Sequence, residues 1–227
     1  SNVSVKLNGK PCQVLTLTFD SQPGVELTIQ LLCDAGVDLK ELRTLEVRVA
    51  GAESLLDGQS NDYSSESAAL AFISLRGMGE NAWIGSGAKQ IQIERRFQLI
   101  GTTADTMRVW DLRRAIQVLR TECPELNELV LRADGRGQEI VFLASLFEPP
   151  VSRIKSTGSW LADHEQPAIL NLSRTLPTGL LPALAAWRTD LTMAASRSDI
   201  ATSAALSEHR NWTGKSLQFG EPENAAK

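Results

Sequence analysis

Residues 129–147 read LVLRADGRGQEIVFLASLF, and this stretch decides the fold. It opens with a short apolar run at 129–131, passes through Gly135 and Gly137, and continues into an apolar run at 140–147 that stops before two prolines. A short strand, a glycine turn and a buried helix in immediate succession are typical of an α/β fold with a parallel sheet.

The segments upstream of this stretch predict strands. Residues 13–19 and 25–31 alternate apolar and polar side chains, and the turn residues between them predict an antiparallel hairpin. Residues 45–51 predict a third strand, which ends at Gly51. The continuous apolar run at 68–75 is typical of a strand that is covered on both faces.

The remaining segments alternate between helix and strand. Residues 102–121 carry apolar side chains at three- and four-residue spacing, and Thr102 with Asp105 resembles a capping box at the start of this helix. The other predicted elements are strands at 151–155, 190–195 and 216–219, helical turns over 168–187 broken at Pro177 and Pro182, and a weak helix over 204–209. This alternation predicts an α/β fold: a mostly parallel sheet flanked by helices and entered by the antiparallel N-terminal hairpin.

The pattern also predicts the organisation of the chain as one domain over residues 1–227. We expect N-terminal strands over 1–51, a polar loop over 53–67, a strand–helix core over 68–219 and a polar tail over 220–227. A chain of this length can bury one substantial core.

Composition and charge narrow the classes of partner. The chain has 227 residues, with 23 Lys and Arg against 27 Asp and Glu and a formal net charge of −4. This mild acidity gives no electrostatic footprint for nucleic acid or for an anionic membrane, so we expect neither as a partner. No secretion signal opens the sequence, but a removed N-terminal segment would fit a secreted or periplasmic protein, so the compartment stays open.

The cysteines Cys12, Cys33 and Cys123 are odd in number and lack C-x-x-C spacing. A disulfide framework or a structural zinc site is therefore not expected, and the sequence predicts no metal and no cofactor. We interpret the three cysteines as buried thiols. One disulfide, between Cys12 and Cys33, is the alternative that stays open.

The order of these elements resembles the α/β-hydrolase fold, and in particular its acetyl xylan esterase-like branch. Two motifs carry the resemblance, which extends over about residues 68–195. Residues 75–80, LRGMGE, are similar to the D-x-R-G-x-G-E turn of that branch, and residues 107–115, MRVWDLRRA, resemble its R-x-x-D-x-x-R-A helix. Within this helix we expect Asp111 to pair with a neighbouring arginine or to cap polar backbone.

The resemblance implies that residues 129–137 hold the position of the nucleophile. In this fold the nucleophile stands at the apex of a sharp strand-to-helix turn of the form G-x-S-x-G. Here the turn reads ADGRG: Ala133 and Gly137 keep the small residues at its ends, and the apex is Gly135. Because glycine has no side chain, covalent acyl transfer cannot begin there. Asp134, one residue before the apex, is expected to point away from the pocket.

The same resemblance implies an acid after a late strand and a histidine after the last strand. Asp199 lies about where the acid belongs, although an N-cap for residues 200–206 is its other interpretation. His209 is the candidate base, yet it precedes the predicted last strand instead of following it. His164 comes too early in the chain and is interpreted as an exposed loop residue.

A pocket that binds a carbonyl oxygen or an anion can persist without a nucleophile, because backbone donors do not depend on the side chain. One N–H group would come from Arg136, the residue after the apex, and another from the loop that follows Gly51. The side chains of Arg132 and Arg136 would strengthen the binding of an anion there.

Three functions follow as hypotheses. The first is an esterase-like domain without the nucleophile, non-catalytic or degenerate, with a binding or structural role. The second is an active carboxylic-ester hydrolase of the acetyl xylan esterase type that acts on acetyl groups of a polysaccharide. The third is a carbohydrate-binding or scaffold module. If Trp83 and Trp160 meet at the pocket mouth, they could stack on a sugar ring, although their spacing does not indicate such a site. In each case the expected ligand is a polysaccharide or an ester, and the oligomeric state stays open.

Overall fold

The computed structural model describes residues 2–7, 9–49, 69–157, 168–194 and 216–219. Within these residues, nine strands form one sheet in the order β1-β2-β3-β5-β4-β6-β7-β8-β9. The strands are Asn2–Leu7 (β1), Lys10–Gln22 (β2), Val25–Asp34 (β3), Thr44–Val49 (β4), Ala69–Ile73 (β5), Glu128–Asp134 (β6), Arg153–Thr157 (β7), Asp190–Met193 (β8) and Leu217–Phe219 (β9).

The sheet is mostly parallel. Strands β1, β2, β3 and β5 pair antiparallel in that order. From β5 onward, every neighbouring pair up to β9 is parallel. The expected fold class, a parallel α/β sheet entered by an antiparallel N-terminal hairpin, is confirmed.

Five α-helices accompany the sheet in the described part of the chain. They are Gly87–Leu99 (α1), Ala104–Glu122 (α2), Gly137–Phe147 (α3), Leu172–Thr175 (α4) and Leu181–Arg188 (α5). Helix α2 packs against α3 and β2, and α3 packs against α5 and β6. None of the helices among the described residues is both long enough and apolar enough to cross a lipid bilayer.

The two faces of the parallel strands differ in polarity. Val47, Leu131 and Ile154 are adjacent in the strand register, fully buried, and part of the main hydrophobic core. On the other face, Glu46 forms ion pairs with three basic side chains of β4, β6 and β7: Arg48 (3.0 Å), Arg132 (4.0 Å) and Lys155 (3.8 Å). These strands thus alternate apolar and charged residues with a period of two, where a sheet covered equally on both faces would have continuous apolar runs.

Two expectations about helix ends are wrong. The N-cap of α2 is Thr103, whose hydroxyl accepts a hydrogen bond from the N–H of Thr106, so Thr102 and Asp105 form no capping box. The proposed break at Pro182 is instead the start of α5, because proline in the first turn of a helix lacks only an N–H that would have no intrahelical partner.

The three cysteines are free and buried. In the β2–β3 register Cys12 faces Asp34 and Gln13 faces Cys33, so the side chains of Cys12 and Cys33 point to opposite faces of the sheet. The alternative of a disulfide between them is therefore wrong. Burial raises the pKa of the Cys33 thiol, against the opposing effect of a hydrogen bond from Gln13, and burial raises the pKa of the Cys123 thiol to about 11.

We expect the Cys123 thiol to make folding pH-dependent in alkaline solution. Its pKa rises from the ordinary value of 9.0 to about 11 in the folded chain, so between these values the unfolded chain loses a proton that the folded chain keeps. The free energy of unfolding should therefore fall as pH rises through this window. Urea unfolding at a series of pH values should show a shallower fall for Cys123→Ala than for the wild-type chain; equal slopes would contradict the prediction.

Candidate functional site

A cavity of about 490 Å³ lies at the carboxyl ends of β4 and β6. Its walls come from the end of β4, the loop after β5 and the turn after β6: Val49, Gly77, Met78, Gly79, Ala82, Asp134, Gly135, Arg136 and Gly137. Open α/β sheets bind ligands outside the carboxyl ends of their strands, and this volume lies within the range of small-molecule sites. The cavity is therefore the candidate functional site.

The turn after β6 has the course of a nucleophile elbow, but no side chain stands at its apex. Strand β6 ends at Asp134, Gly135 has a φ of +44°, and α3 begins at Gly137. A Cβ built on Gly135 would meet no heavy atom within 4 Å, so the apex faces open space. In an active hydrolase the nucleophile at this apex has a strained backbone conformation. Here the apex keeps a left-handed conformation, which glycine adopts without strain.

The end of this turn is closely packed. A Cβ on Gly137 would lie 3.4 Å from the Cβ of Ala133 and 3.8 Å from Cγ1 of Val49, so α3 starts in contact with β4 and β6. Arg136 precedes the helix with helical backbone angles. The N–H groups at the start of a helix have no partner within the helix. The N–H of Arg136 lies at this position, so it can donate to a carbonyl oxygen of a ligand.

The loop after β5 forms the opposite wall, and hydrogen bonds within the loop hold its conformation. The N–H of Gly77 donates to the carbonyl oxygen of Asn81 (3.0 Å), and Nδ2 of Asn81 donates to the carbonyl oxygen of Ser74 (2.6 Å). Gly77 has a φ of +67°, and a Cβ there would lie 2.6 Å from the Trp83 ring. Only glycine fits this turn, which accounts for Gly77 in the LRGMGE segment.

Trp83 packs behind this loop. Its ring stacks on Phe97, with centroids 6.1 Å apart, and Cζ of Arg108 lies 5.4 Å from the Trp83 ring centroid. Trp83 is not among the residues that line the cavity. Trp160 lies outside the described residues, so the possibility that the two tryptophans meet at the cavity mouth stays a prediction.

A buried ion pair joins the loop after β5 to α2. Nε of Arg76 donates to Oδ2 of Asp111 (2.8 Å) and Nη2 to Oδ1 (2.6 Å), with the two side chains 7% and 0% exposed. The backbone N–H of Arg76 (3.2 Å) and the hydroxyl of Ser21 also donate to this carboxylate. The expected pairing of Asp111 with an arginine is confirmed, and it ties β2, the loop and α2 together.

A second buried carboxylate holds the arginine of the elbow. Oδ2 of Asp105 accepts from Nη2 of Arg136 (3.0 Å) and from the N–H of Ala168 (2.7 Å), and Oδ1 accepts from Nη1 of Arg108 (2.5 Å). Nε of Arg108 donates to the carbonyl oxygen of Arg76 (3.0 Å). The two ionic clusters are thus linked, and they connect both walls of the cavity.

Among the predicted site residues, Gly135 and Arg136 lie at the cavity. Asp134 also lines the cavity, at the end of β6, and it is exposed; the expected direction of its side chain stays a prediction. Arg132 lies near Glu46 on the charged face of the sheet and does not line the cavity, so its expected part in anion binding at the elbow is wrong.

Four further candidates, Gly51, Asp199, His164 and His209, lie outside the described residues. The described residue nearest to Gly51 in this part of the sequence is Val49, which ends β4 and lines the cavity. Within the described residues, no group of three or more His, Cys, Asp or Glu side chains could hold a metal ion.

Sequence reasoning missed Asp105 as a site residue. Its spacing to Arg108 is a local signal for an ion pair, since residues three apart are neighbours on a helix. Its bond to Arg136 joins residues 31 positions apart in the chain and depends on how α2 packs beside α3. No local pattern could have indicated that contact.

Comparison with known proteins gives structural neighbours only. No family profile and no curated protein matches the chain. A candidate acetyl xylan esterase from Bacteroides fragilis superposes with a TM-score of 0.70 at 10% identity, over 97% of this chain and 69% of that one. An acetyl xylan esterase from Paenibacillus sp. R4 has a TM-score of 0.58 at 12% identity, over 97% of this chain and 80% of that one.

A third structure, esterase Est22, has a TM-score of 0.56 at 11% identity, over 92% of this chain and 71% of that one. Identities this low relate the folds, and the shared fold agrees with the observed strand order and with the sharp turn between β6 and α3. The chain therefore has the α/β-hydrolase fold, and its architecture is similar to that of acetyl xylan esterases.

Proposed function

We propose that this chain is a non-catalytic α/β-hydrolase-fold domain that binds a small organic ligand in the cavity beside the elbow. The observation that carries the proposal is Gly135, which occupies the apex of the turn with a φ of +44° and open space above it. Acyl transfer in this fold begins with attack by an apex side chain, and glycine offers none.

The surroundings of the apex support binding without turnover. A cavity lies beside the elbow, and the N–H of Arg136 lies at the start of α3. The buried carboxylates of Asp105 and Asp111 hold the two walls in place. A preformed cavity lowers the entropic cost of binding, and this benefit does not depend on a nucleophile.

Asp134 does not replace the missing nucleophile in this proposal. It is the last residue of β6, one position before the sharp bend that exposes the apex residue. The elbow directs its strained central residue toward the substrate carbonyl, and a group one residue earlier lacks that alignment.

Hydrolysis of p-nitrophenyl acetate by the wild-type chain, His209→Ala and Asp199→Ala tests the proposal. We expect all three proteins to give the same slow background rate, because no acyl-enzyme can form at Gly135. An active esterase would instead lose about 100-fold or more of its rate in His209→Ala, the usual size of a general-base contribution. Such a loss from a rate above background would refute the proposal.

A further inference from the structure

Two residues with side chains of opposite charge flank the empty apex, and both residues line the cavity. Asp134 precedes Gly135 and Arg136 follows it. Among the described residues, the rest of the lining is glycine and aliphatic: Val49, Gly77, Met78, Gly79, Ala82, Gly135 and Gly137. Within the part of the lining that the structure describes, the charged groups available to a ligand are one carboxylate and one guanidinium.

Arg136 is held in position by a buried acceptor. Its Nη2 donates to Asp105 Oδ2 at 3.0 Å, and Asp105 is itself fixed by Arg108 and by the N–H of Ala168. The Arg136 side chain is nevertheless 48% exposed. A guanidinium has five N–H donors, and the bond to Asp105 uses one of them, so other donors remain for a ligand. A fixed guanidinium fork suits the two oxygens of a carboxylate.

Asp134 offers the complementary function. Its side chain is exposed, and within the described residues it makes no hydrogen bond and no ion pair. An ionised carboxylate only accepts hydrogen bonds, so it recognises hydroxyl groups and repels a second anion. The two side chains together favour a ligand with one carboxylate and neighbouring hydroxyl groups.

The size and lining of the cavity indicate that the ligand also contains a ring. About 490 Å³ exceeds what a single carboxylate such as acetate fills. Met78, Val49 and Ala82 offer apolar contact for C–H groups, and the missing side chain at Gly135 lets a ring approach the backbone. A hydroxylated ring that carries a carboxylate fits all three features.

Resting on the proposed function, we propose that the cavity binds an acidic sugar of the uronic acid type. Arg136 binds the carboxylate, Asp134 accepts hydrogen bonds from ring hydroxyls, and the aliphatic wall contacts the ring. The ligand is thus a free acid, distinct from the acetyl esters that a hydrolase of this fold would cleave.

Isothermal titration calorimetry with four ligands tests the assignment: sodium D-glucuronate, its neutral methyl ester, D-glucose and sodium acetate. We expect glucuronate to bind at least about tenfold more tightly than each of the others, because a hydrogen bond to a charged group is worth that factor or more. Methyl ester or glucose binding as tightly as glucuronate would overturn the role of the carboxylate. Acetate binding as tightly would overturn the role of the sugar ring.

Variants assign the two contacts. Arg136→Gln should weaken glucuronate binding about tenfold or more, and Arg136→Lys, which keeps the charge but loses the fork, should give an intermediate affinity. Asp134→Ala removes the acceptor for ring hydroxyls together with a like charge, so it should weaken glucuronate relative to acetate, whose affinity should stay the same or rise. The matched control is Arg120→Gln, since Arg120 bonds the carbonyl oxygens of Pro149 and Pro150 and does not line the cavity. Unchanged affinity in Arg136→Gln, or an equal loss in Arg120→Gln, would overturn the proposal.

The two proposals fail separately. Turnover of p-nitrophenyl acetate that depends on His209 would refute the non-catalytic function whatever glucuronate does. Absence of turnover together with absence of glucuronate binding would refute only the acidic sugar. The unfolding temperatures of Arg136→Gln and Arg136→Lys should lie within a few degrees of the wild-type value. A lost affinity then reflects the site and not unfolding of the variant.

Discussion

Replacing Asp111 by alanine should lower the free energy of unfolding by about 3–5 kcal/mol, the usual cost of leaving one partner of a buried ion pair unpaired. The variant leaves the guanidinium of Arg76, 7% exposed, without its carboxylate. It also removes the acceptor for the hydroxyl of Ser21 in β2. A domain is stable by about 5–15 kcal/mol in total, so a large part of that stability should be lost. Equilibrium unfolding in urea measures the change.

Two control variants separate the ion pair from a general effect of removing a carboxylate. Asp134→Ala removes an exposed carboxylate and should change the free energy of unfolding by no more than about 0.5 kcal/mol. The double variant Arg76→Met with Asp111→Leu should recover much of the loss, because no uncompensated charge then remains buried. A change of less than about 1 kcal/mol for Asp111→Ala would contradict the buried pair.

A cysteine placed at the apex should become the most reactive thiol of the chain. The three native thiols are buried, and burial raises the pKa of Cys33 and Cys123, so they are largely unreactive at neutral pH. A Cβ at Gly135 faces open space, so Gly135→Cys should react with iodoacetamide in the folded state to one adduct per chain. The left-handed backbone should cost about 1–2 kcal/mol of stability, which leaves the domain folded.

The reference for this reaction is Gly24→Cys. Gly24 also has a positive φ and open space around its Cβ, and it lies in the exposed turn between β2 and β3. Labelling of the two variants at comparable rates, followed by mass spectrometry, supports an open apex. If the thiol introduced by Gly135→Cys reacts as slowly as the native thiols, the elbow does not face the cavity.

Much of the sheet could be predicted from the sequence, because its strands follow local patterns. The alternation in residues 13–19 and 25–31 predicted the hairpin, and the apolar run at 129–131 followed by glycines predicted β6 and the turn. These patterns work because each strand buries a regular subset of its own side chains.

Helix α1 and strand β1 were not predicted, and α1 shows why. None of its residues is buried, and Ile91 and Leu99 are 50% and 86% exposed. A helix that buries no stripe of side chains has no amphipathic period to reveal it. In the structure Phe97 of α1 stacks on the ring of Trp83.

The candidate site also has parts that local sequence patterns predict and parts that depend on packing. The empty apex could be read directly, since a missing side chain is evident in the sequence and the flanking small residues mark the turn. The role of Asp105 could not, because its carboxylate receives donors from residues 108, 136 and 168, which only the packed structure brings together.

Treatment of the wild-type chain with an alkyl fluorophosphonate, followed by peptide mapping, tests most directly whether the elbow is empty. This reagent phosphonylates a serine only when a neighbouring base activates it. If Gly135 marks the position that a working hydrolase gives to its attacking group, the reagent should leave every serine unmodified. A stoichiometric adduct on any serine of the folded chain would reveal a nucleophile elsewhere and contradict the non-catalytic function.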